Sequence, residues 1–485
     1  MSHYRYERLS AQDASFLAFE TPTVPMHVSA ALIFEAGPLE TGDGGIDVEA
    51  VKRAMRGKLH LLPRYRQKLA WIPIANHPVW VDDRDFNLDF HIRHTALPRP
   101  GSIEQLKSLT ARIMSHQLDR SRPLWETWVV EGLEGDRFAL ITKIHHCMID
   151  GESGVDIGNI LLSTDPDHRP SEEAPAYVPR PAPRALELVW GDVLRGVSLP
   201  LQVFRGLRHF GSETQDLGRE LSLRARALAE LAGWAARPKS ATPLNGRLGP
   251  NRRVDLLSLD LAEVKAVRKA LGCTVNDVIL GTVAGAVRDF LIQRRVNPDE
   301  IDFRVSAPVS VRRPEERGRL GNRVSSWIVR LPVGLDDPLE RMDALHAVTE
   351  ELKQSNQAIG VEMMMGLAEW TPGALISLGA RAASGPINMI VTNVPGPQFP
   401  LYIMGARFLE LLPIVPLLEG TGIGVALFSY DGKLFWGFNA DDGLVPDIAI
   451  FRRAVETSFR QLMEAAGLRP KRAGVHELHP DSGSA

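Results

Sequence analysis

Residues 138–151 read FALITKIHHCMIDG, and the reading of this stretch decides the architecture. Apolar and β-branched side chains dominate 138–144, the composition of a buried strand. A strand sends successive side chains to opposite faces. His145 and His146 therefore cannot both enter one cleft while the strand persists, so one is expected to be structural and the other functional. Asp150 and Gly151 follow where a turn opens a predicted helix at 153–162. Gly151 permits a sharp backbone turn, and a carboxylate at Asp150 can hold the loop through a hydrogen bond or an arginine.

Working outward, 125–131 forms a second strand, joined to 138–144 by the glycine-containing turn LEGDR. Residues 26–34, MHVSAALIF, read as another strand. Val48, Val51, Met55, Leu59 and Leu62 recur at helical spacing up to Pro63, and Ile103, Leu106, Leu109, Ile113 and Met114 repeat the pattern. Six prolines between Asp165 and Arg184 then predict an extended linker. Beyond it, apolar positions from Leu186 to Phe210 fall on helical faces. From Arg180 to Arg253 there are 13 Lys/Arg against 6 Asp/Glu. Helices packed between two lobes are one reading of this basic stretch; a surface resting on anionic lipid is the other.

Past residue 251 the spacing predicts helices at 262–271 and 276–291 and strands at 303–311, 324–331 and 387–391. GIGVALFSYDGKLFWGFNAD (422–441) is a hairpin about Asp431-Gly432, and a last helix covers 447–466. The expected organisation is an α/β chain with an N-terminal lobe over 1–165 and a linker with basic helices over 166–250. A C-terminal lobe over 251–470 and a loose tail over 471–485 complete it.

The 485 residues carry 44% hydrophobic and 24% charged side chains and a net charge of −3, a globular balance without the basic excess of a nucleic-acid binder. Two cysteines, Cys147 and Cys273, exclude a disulfide framework and fit a reducing cytoplasm. Residues 1–16 carry no apolar h-region and no small-residue cleavage site, so export by a signal peptide is not expected, and no apolar run reaches the length of a membrane span. No G-x-S-x-G elbow or phosphate loop occurs, and GTGIG at 420–424 precedes a strand, which excludes a nicotinamide site. An imidazole is suited to take a hydroxyl proton and return it later. The competing readings are incidental histidines, a metal site that lacks the H-E-x-x-H context, and Cys147 as a nucleophile, which strand alternation disfavours.

His145–Gly151 resembles the HHxxxDG signature of acyl-CoA-dependent acyltransferases with the chloramphenicol acetyltransferase-like fold. Within that group the chain is similar to the bacterial wax ester synthase/acyl-CoA:diacylglycerol acyltransferase family. The resemblance rests on LSAQDASFLAFETPTVPMHVSAALIFE (9–35), PLWE (123–126), TPLNG (242–246), NDVIL (276–280), LGNRVSS (320–326), TNVPGP (392–397) and the 422–441 hairpin.

It implies two lobes with mixed sheets, joined by a helical crossover, with an active-site tunnel between them. His146 becomes the general base; His145 and Asp150 hold the motif's geometry, and Gly151 keeps the entrance beside His146 open. Asn276 and Asp277 fall near the active site. There Asn276 is either an oxyanion donor or, like Asp277, part of a helix N-cap. Pro123, Leu124 and Trp125 are either a buried anchor or the lining of an acyl channel, and Asn393–Pro397 is either a rigid turn or, as the resemblance implies, a loop that shapes the substrate passage. The implied substrates are acyl-CoA and a diacylglycerol or fatty alcohol, with no cofactor and no metal. Contact with the inner membrane face or a lipid body is expected. A lipid-body coat protein, and a condensation enzyme fed by carrier-bound acyl groups, are the alternatives.

Overall fold

The computed structural model describes residues 6–148, 162–168, 175–191, 239–310, 324–354 and 387–469. All but the last residue of the predicted helix at 153–162, Asp150, Gly151, most of the basic stretch 186–210, the segment 320–323 and the tail 471–485 lie outside the described residues.

In the first half, β1 (Glu7–Arg8), α1 (Ala11–Phe19), β2 (His27–Glu35) and α2 (Val48–Lys58) precede β3 (Gln67–Trp71) and β4 (Pro78–Asp82). Then come α3 (Leu88–His91), β5 (Ile92–Ala96), α4 (Ile103–Met114), β6 (Trp125–Leu133) and β7 (Arg137–His145). The second half holds β8 (Arg252–Asp260), α5 (Leu261–Leu271), α6 (Val275–Gln293), β9 (Phe303–Ser310), β10 (Val324–Leu331) and α7 (Pro338–Gln354). It closes with β11 (Met389–Pro395), β12 (Tyr402–Ile403), β13 (Ala406–Ile414), β14 (Ile423–Tyr430), β15 (Lys433–Asp441) and α8 (Ile448–Ala465).

Two six-stranded mixed sheets form the lobes, in the orders β12-β13-β2-β7-β6-β5 and β10-β9-β11-β14-β15-β8. Strand β7 lies between β2 and β6, so both its faces are covered. Phe138, Leu140 and Ile144 pack with Val51 and Met55 of α2, whereas Ala139 and Ile141 pack with Leu106, Leu109 and Ile113 of α4. This explains why 138–144 reads as a continuous apolar run rather than a strict alternation. In the second lobe α6 is buried along most of its length and packs against α7 and α8. Asp431 and Gly432, with φ of 43° and 79°, make the two-residue turn that the hairpin requires.

Strand β13 comes from the C-terminal half yet pairs with β2 in the first sheet, for instance Leu412 opposite Ala31. The 251–470 stretch therefore contributes to both lobes, an exchange that spacing within one chain cannot reveal. Where β15 crosses β13, a Cβ on Gly437 would lie 1.7 Å from the Pro413 carbonyl oxygen, so only glycine allows this approach. Arg252 pairs with Asp441, both buried, and its N–H donates to Ser115 Oγ in the other lobe.

A third, three-stranded sheet has the order β1-β4-β3. Residues 175–184 of the proline-rich linker are extended across it. Tyr177 Oη donates to the Arg66 and Asp83 carbonyls at 3.1 Å, and Arg180 pairs with Asp82. A short helical stretch at 185–191 follows, with Leu188 packed on Ile72, Val79 and Val81. Among the described residues no single helix is long and apolar enough to cross a membrane; α5 with α6 passes by composition only, bent by 97°.

Candidate active site

The end of β7 separates the two histidines as strand alternation requires. His27 of β2 is the cross-strand partner of His145, and their rings meet edge to face at 5.8 Å. The His145 side chain is 1% exposed. Its Nδ1 accepts the Cys147 N–H at 3.2 Å, inside the single 3-10 turn His146–Met148 that ends the strand. His146 is only partly buried. Its N–H donates to the Met26 carbonyl at 2.8 Å, and its ring stacks on Phe16 of α1, centroids 3.8 Å apart.

Beneath this turn lies a carboxylate that sequence reasoning missed. Glu20, the C-cap of α1, has a side chain only 1% exposed. Its Oε1 stands 3.4 Å from His27 Nε2 and 3.5 Å from His145 Nε2. These are polar contacts a few tenths of an ångström longer than good hydrogen bonds, and among the described residues neither His27 Nε2 nor His145 Nε2 has a closer partner. Oε1 also accepts the Met26 N–H at 3.3 Å. Oε2 accepts two bonds from Arg120, at 2.7 and 3.1 Å. Phe16, Glu20 and His27 all lie within the 9–35 segment; only the direction of their side chains, set by long-range packing, was illegible there.

Burial sets the electrostatics. It depresses the His146 imidazole to about 4 and that of His27 to about 3, the latter partly offset by Glu20. Burial alone would raise Glu20, but the two histidines outweigh it and hold the carboxyl well below its usual range. Cys147 is pushed well above its ordinary value by burial, which removes it as a thiolate nucleophile. At neutral pH His146 is thus an uncharged imidazole able to accept a proton.

A second constellation forms at the start of α6. Thr274 is the N-cap and makes a capping box with Asp277. Asp277 is buried and also accepts from Thr349 Oγ1 at 3.1 Å. Asn276 points outward, and its Oδ1 accepts from Asn393 Nδ2 at 2.8 Å. That bond occupies Oδ1 and leaves Nδ2 as the donor end of the Asn276 amide. Asn276, Asp277 and Asn393 rim a cavity of about 280 Å³ whose wall includes Leu280, Trp327 and Val391. Among the described residues, no hydrogen bond or ion pair joins these groups to His146.

Leu124 and Trp125 are core residues. Trp125 is 1% exposed, donates from Nε1 to the Tyr65 carbonyl at 2.8 Å and stacks on His91. The anchor reading describes them, although Pro123 and Trp125 also edge a cleft of about 390 Å³ with Arg93 and Lys143. No cluster of potential metal ligands occurs among the described residues.

Comparison with known proteins fits this geometry. The pattern of the wax ester synthase/diacylglycerol acyltransferase catalytic domain matches residues 9–279, and that of the WS/DGAT C-terminal domain matches 320–463. The chain belongs to the wax ester synthase/diacylglycerol acyltransferase family. It is accordingly an acyltransferase. Among curated relatives, "Probable diacylglycerol O-acyltransferase tgs1" of Mycobacterium tuberculosis is 33% identical over 94% of this chain and 95% of its own.

Among solved structures, the wax ester synthase/diacylglycerol acyltransferase from Marinobacter aquaeolei VT8 superposes with a TM-score of 0.68 at 26% identity, covering 95% of this chain and all of that one. The first condensation domain of the calcium-dependent antibiotic synthetase shares the fold, with a TM-score of 0.57 at 16% identity over 96% and 97% of the two chains. The family's two-lobed α/β fold expected from the sequence is thus observed.

Proposed function

We propose that this family member moves a long-chain fatty acyl group from acyl-CoA to diacylglycerol or a long-chain fatty alcohol, with His146 as general base. The observation that carries the reading is the neutral imidazole of His146, held by its backbone and by Phe16 at the end of β7. His146 takes the hydroxyl proton as the oxygen attacks the thioester carbonyl. The tetrahedral oxyanion receives a hydrogen bond from the outward Asn276 amide. Collapse breaks the carbon–sulfur bond, and the imidazolium returns the proton to the departing thiolate. With both substrates bound together, positioning supplies much of the rate without a covalent acyl-enzyme. In this reading Asp150 and Gly151 serve to keep the approach to His146 open, and the two substrates would meet in a passage between the lobes.

The test is direct. Purified protein with a long-chain acyl-CoA should release free coenzyme A only when diacylglycerol or hexadecanol is added, and the product should be triacylglycerol or a wax ester. Release of no thiol would leave a lipid coat protein, and use of carrier-bound thioesters alone would make it a condensation enzyme.

Both substrates reside in lipid, and the surface supports a peripheral lipid contact. Ile74, at the tip of the β3–β4 hairpin, is 96% exposed, and Trp71 beside it is also exposed. Leu186 and Trp190, on the helical stretch packed against the same small sheet, are exposed as well. This cluster leads into the basic segment that follows. Flotation with anionic liposomes should fall several-fold in the Trp71→Ser/Ile74→Ser variant; unchanged flotation would place the lipid contact elsewhere.

A further inference from the structure

The acid–base reading employs His146 and leaves a buried carboxylate without a task. An ionised carboxyl withdrawn from water costs several kcal/mol unless its charge is matched, yet Glu20 sits with a 1% exposed side chain below the catalytic turn. Arg120 supplies the counter-charge through two bonds to Oε2. On its other side the histidine pair helps hold the carboxyl low, although burial keeps His27 itself neutral. Oε1 is left facing the histidine pair and the Met26 N–H.

We propose that Glu20 is a positioning residue for the acyl-transfer step: it fixes the tautomer of His145 and, through Met26, the turn that presents His146. The inference rests on the reading of His146 as the base. His145 Nδ1 accepts the Cys147 N–H, so the ring's proton sits on Nε2, the nitrogen that faces Glu20 Oε1. The other tautomer would set a lone pair against the carboxylate and an N–H against the Cys147 N–H. It would also remove the side-chain bond inside the turn that carries His146.

Met26 gives a second route. Its N–H donates to Glu20 while its carbonyl accepts the His146 N–H, so one residue links carboxylate and base. A third route runs through Arg120, which donates to both Glu20 and the Leu17 carbonyl. That ties down the helix whose Phe16 stacks on His146. A base oriented by a third group is a recurrent arrangement, and loss of the orienting charge can leave geometry intact while turnover collapses.

Glu20→Gln keeps the shape and removes the charge. It should lower kcat roughly 100-fold, with KM within about twofold and the melting temperature within a few degrees. In a His146→Ala background the same change should have no further effect on the residual rate, because groups that act as a unit are not additive. Wild-type kcat in Glu20→Gln, or a full additional loss on top of His146→Ala, would overturn the proposal. If Glu20→Gln does not fold, Arg120→Met loosens the same carboxylate from its partly exposed side. A kcat loss of roughly several-fold at constant KM then supports the inference, and none refutes it. His146→Ala separates the two claims. Full activity in that variant removes the base itself, whereas an inactive His146→Ala beside an unaffected Glu20→Gln removes only the role of Glu20.

Discussion

The strand end that carries His145 and His146 and the helix start that carries Asn276 and Asp277 solve one problem in two ways. Each presents two neighbouring polar residues, buries one and turns the other outward. At the strand end, His145 is inside and His146 partly exposed. At the helix start, Asp277 is inside and Asn276 outside. They differ in what holds the buried member. Asp277 is fixed locally, by Thr274 three residues away in a capping box, with Thr349 added from α7. His145 is fixed by Glu20, 125 positions back in the chain, and by its cross-strand partner His27. A locally held pair should fail gradually when disturbed, whereas a pair held through a buried charge should fail sharply.

The largest effect tests the strand pair. His146→Ala should cut kcat by about 10²–10⁴-fold, the usual worth of a general base, with the far-ultraviolet circular dichroism and melting temperature unchanged. Thiol release measured against added hexadecanol is the readout, and wild-type turnover would break the comparison at its root. Next comes the helix pair's outward member. Asn276→Ala should lower kcat by about 10–10²-fold, below the 10²–10³ of a sole oxyanion donor, because backbone N–H groups at the start of α6 remain nearby. A loss confined to KM would assign Asn276 to substrate binding instead.

How much of this was legible follows the same division between local and distant. The hairpin at 422–441, the strand at 138–144 and the helices at 103 and 262 are encoded by turn residues and periodicity within a few positions, and they stand where the spacing put them. The capping box at Thr274 is equally local. Strand β13 was opaque because ARFLELLPI specifies a strand but not which sheet receives it. Small strands such as β3 and β4 escaped because their five-residue runs lack a strong alternation. Glu20 escaped for an electrostatic reason: a lone carboxylate after a helix reads as solvated, and only the convergence of Arg120, His27 and His145 makes it interior.

Acidification sharpens the contrast next. His27, His91 and His146 are held neutral in the folded chain, titrating at about 3, 4 and 4 because of burial. Unfolded, they take up protons below about 6.5. The unfolded state therefore binds more protons between pH 6.5 and 4, and stability falls as pH drops through that window. Glu20, depressed in the folded state, acts in the same direction below its ordinary value of 4.5. Urea midpoints should be flat from pH 8 to 7 and decline steeply below 6. Activity in the folded protein should hold down to about pH 5, since the base loses its lone pair only near 4. An activity limb at 6.5 without unfolding would mean that His146 is solvated during turnover.

The smallest effect belongs to the buried member of the helix pair. Asp277→Ala removes one arm of the capping box and leaves the Thr274 N–H without its acceptor, while Thr349 Oγ1 keeps only the His346 carbonyl. The loss should be about 1–2 kcal/mol, the scale of an N-cap, read as a lower urea midpoint at constant m-value. Asn276 keeps its bond to Asn393 of β11, so kcat should fall no more than about threefold, a small barrier change of under 1 kcal/mol. A collapse of kcat with stability intact would make Asp277 part of the chemistry. The helix pair would then resemble the strand pair, in which the buried residue governs the exposed one.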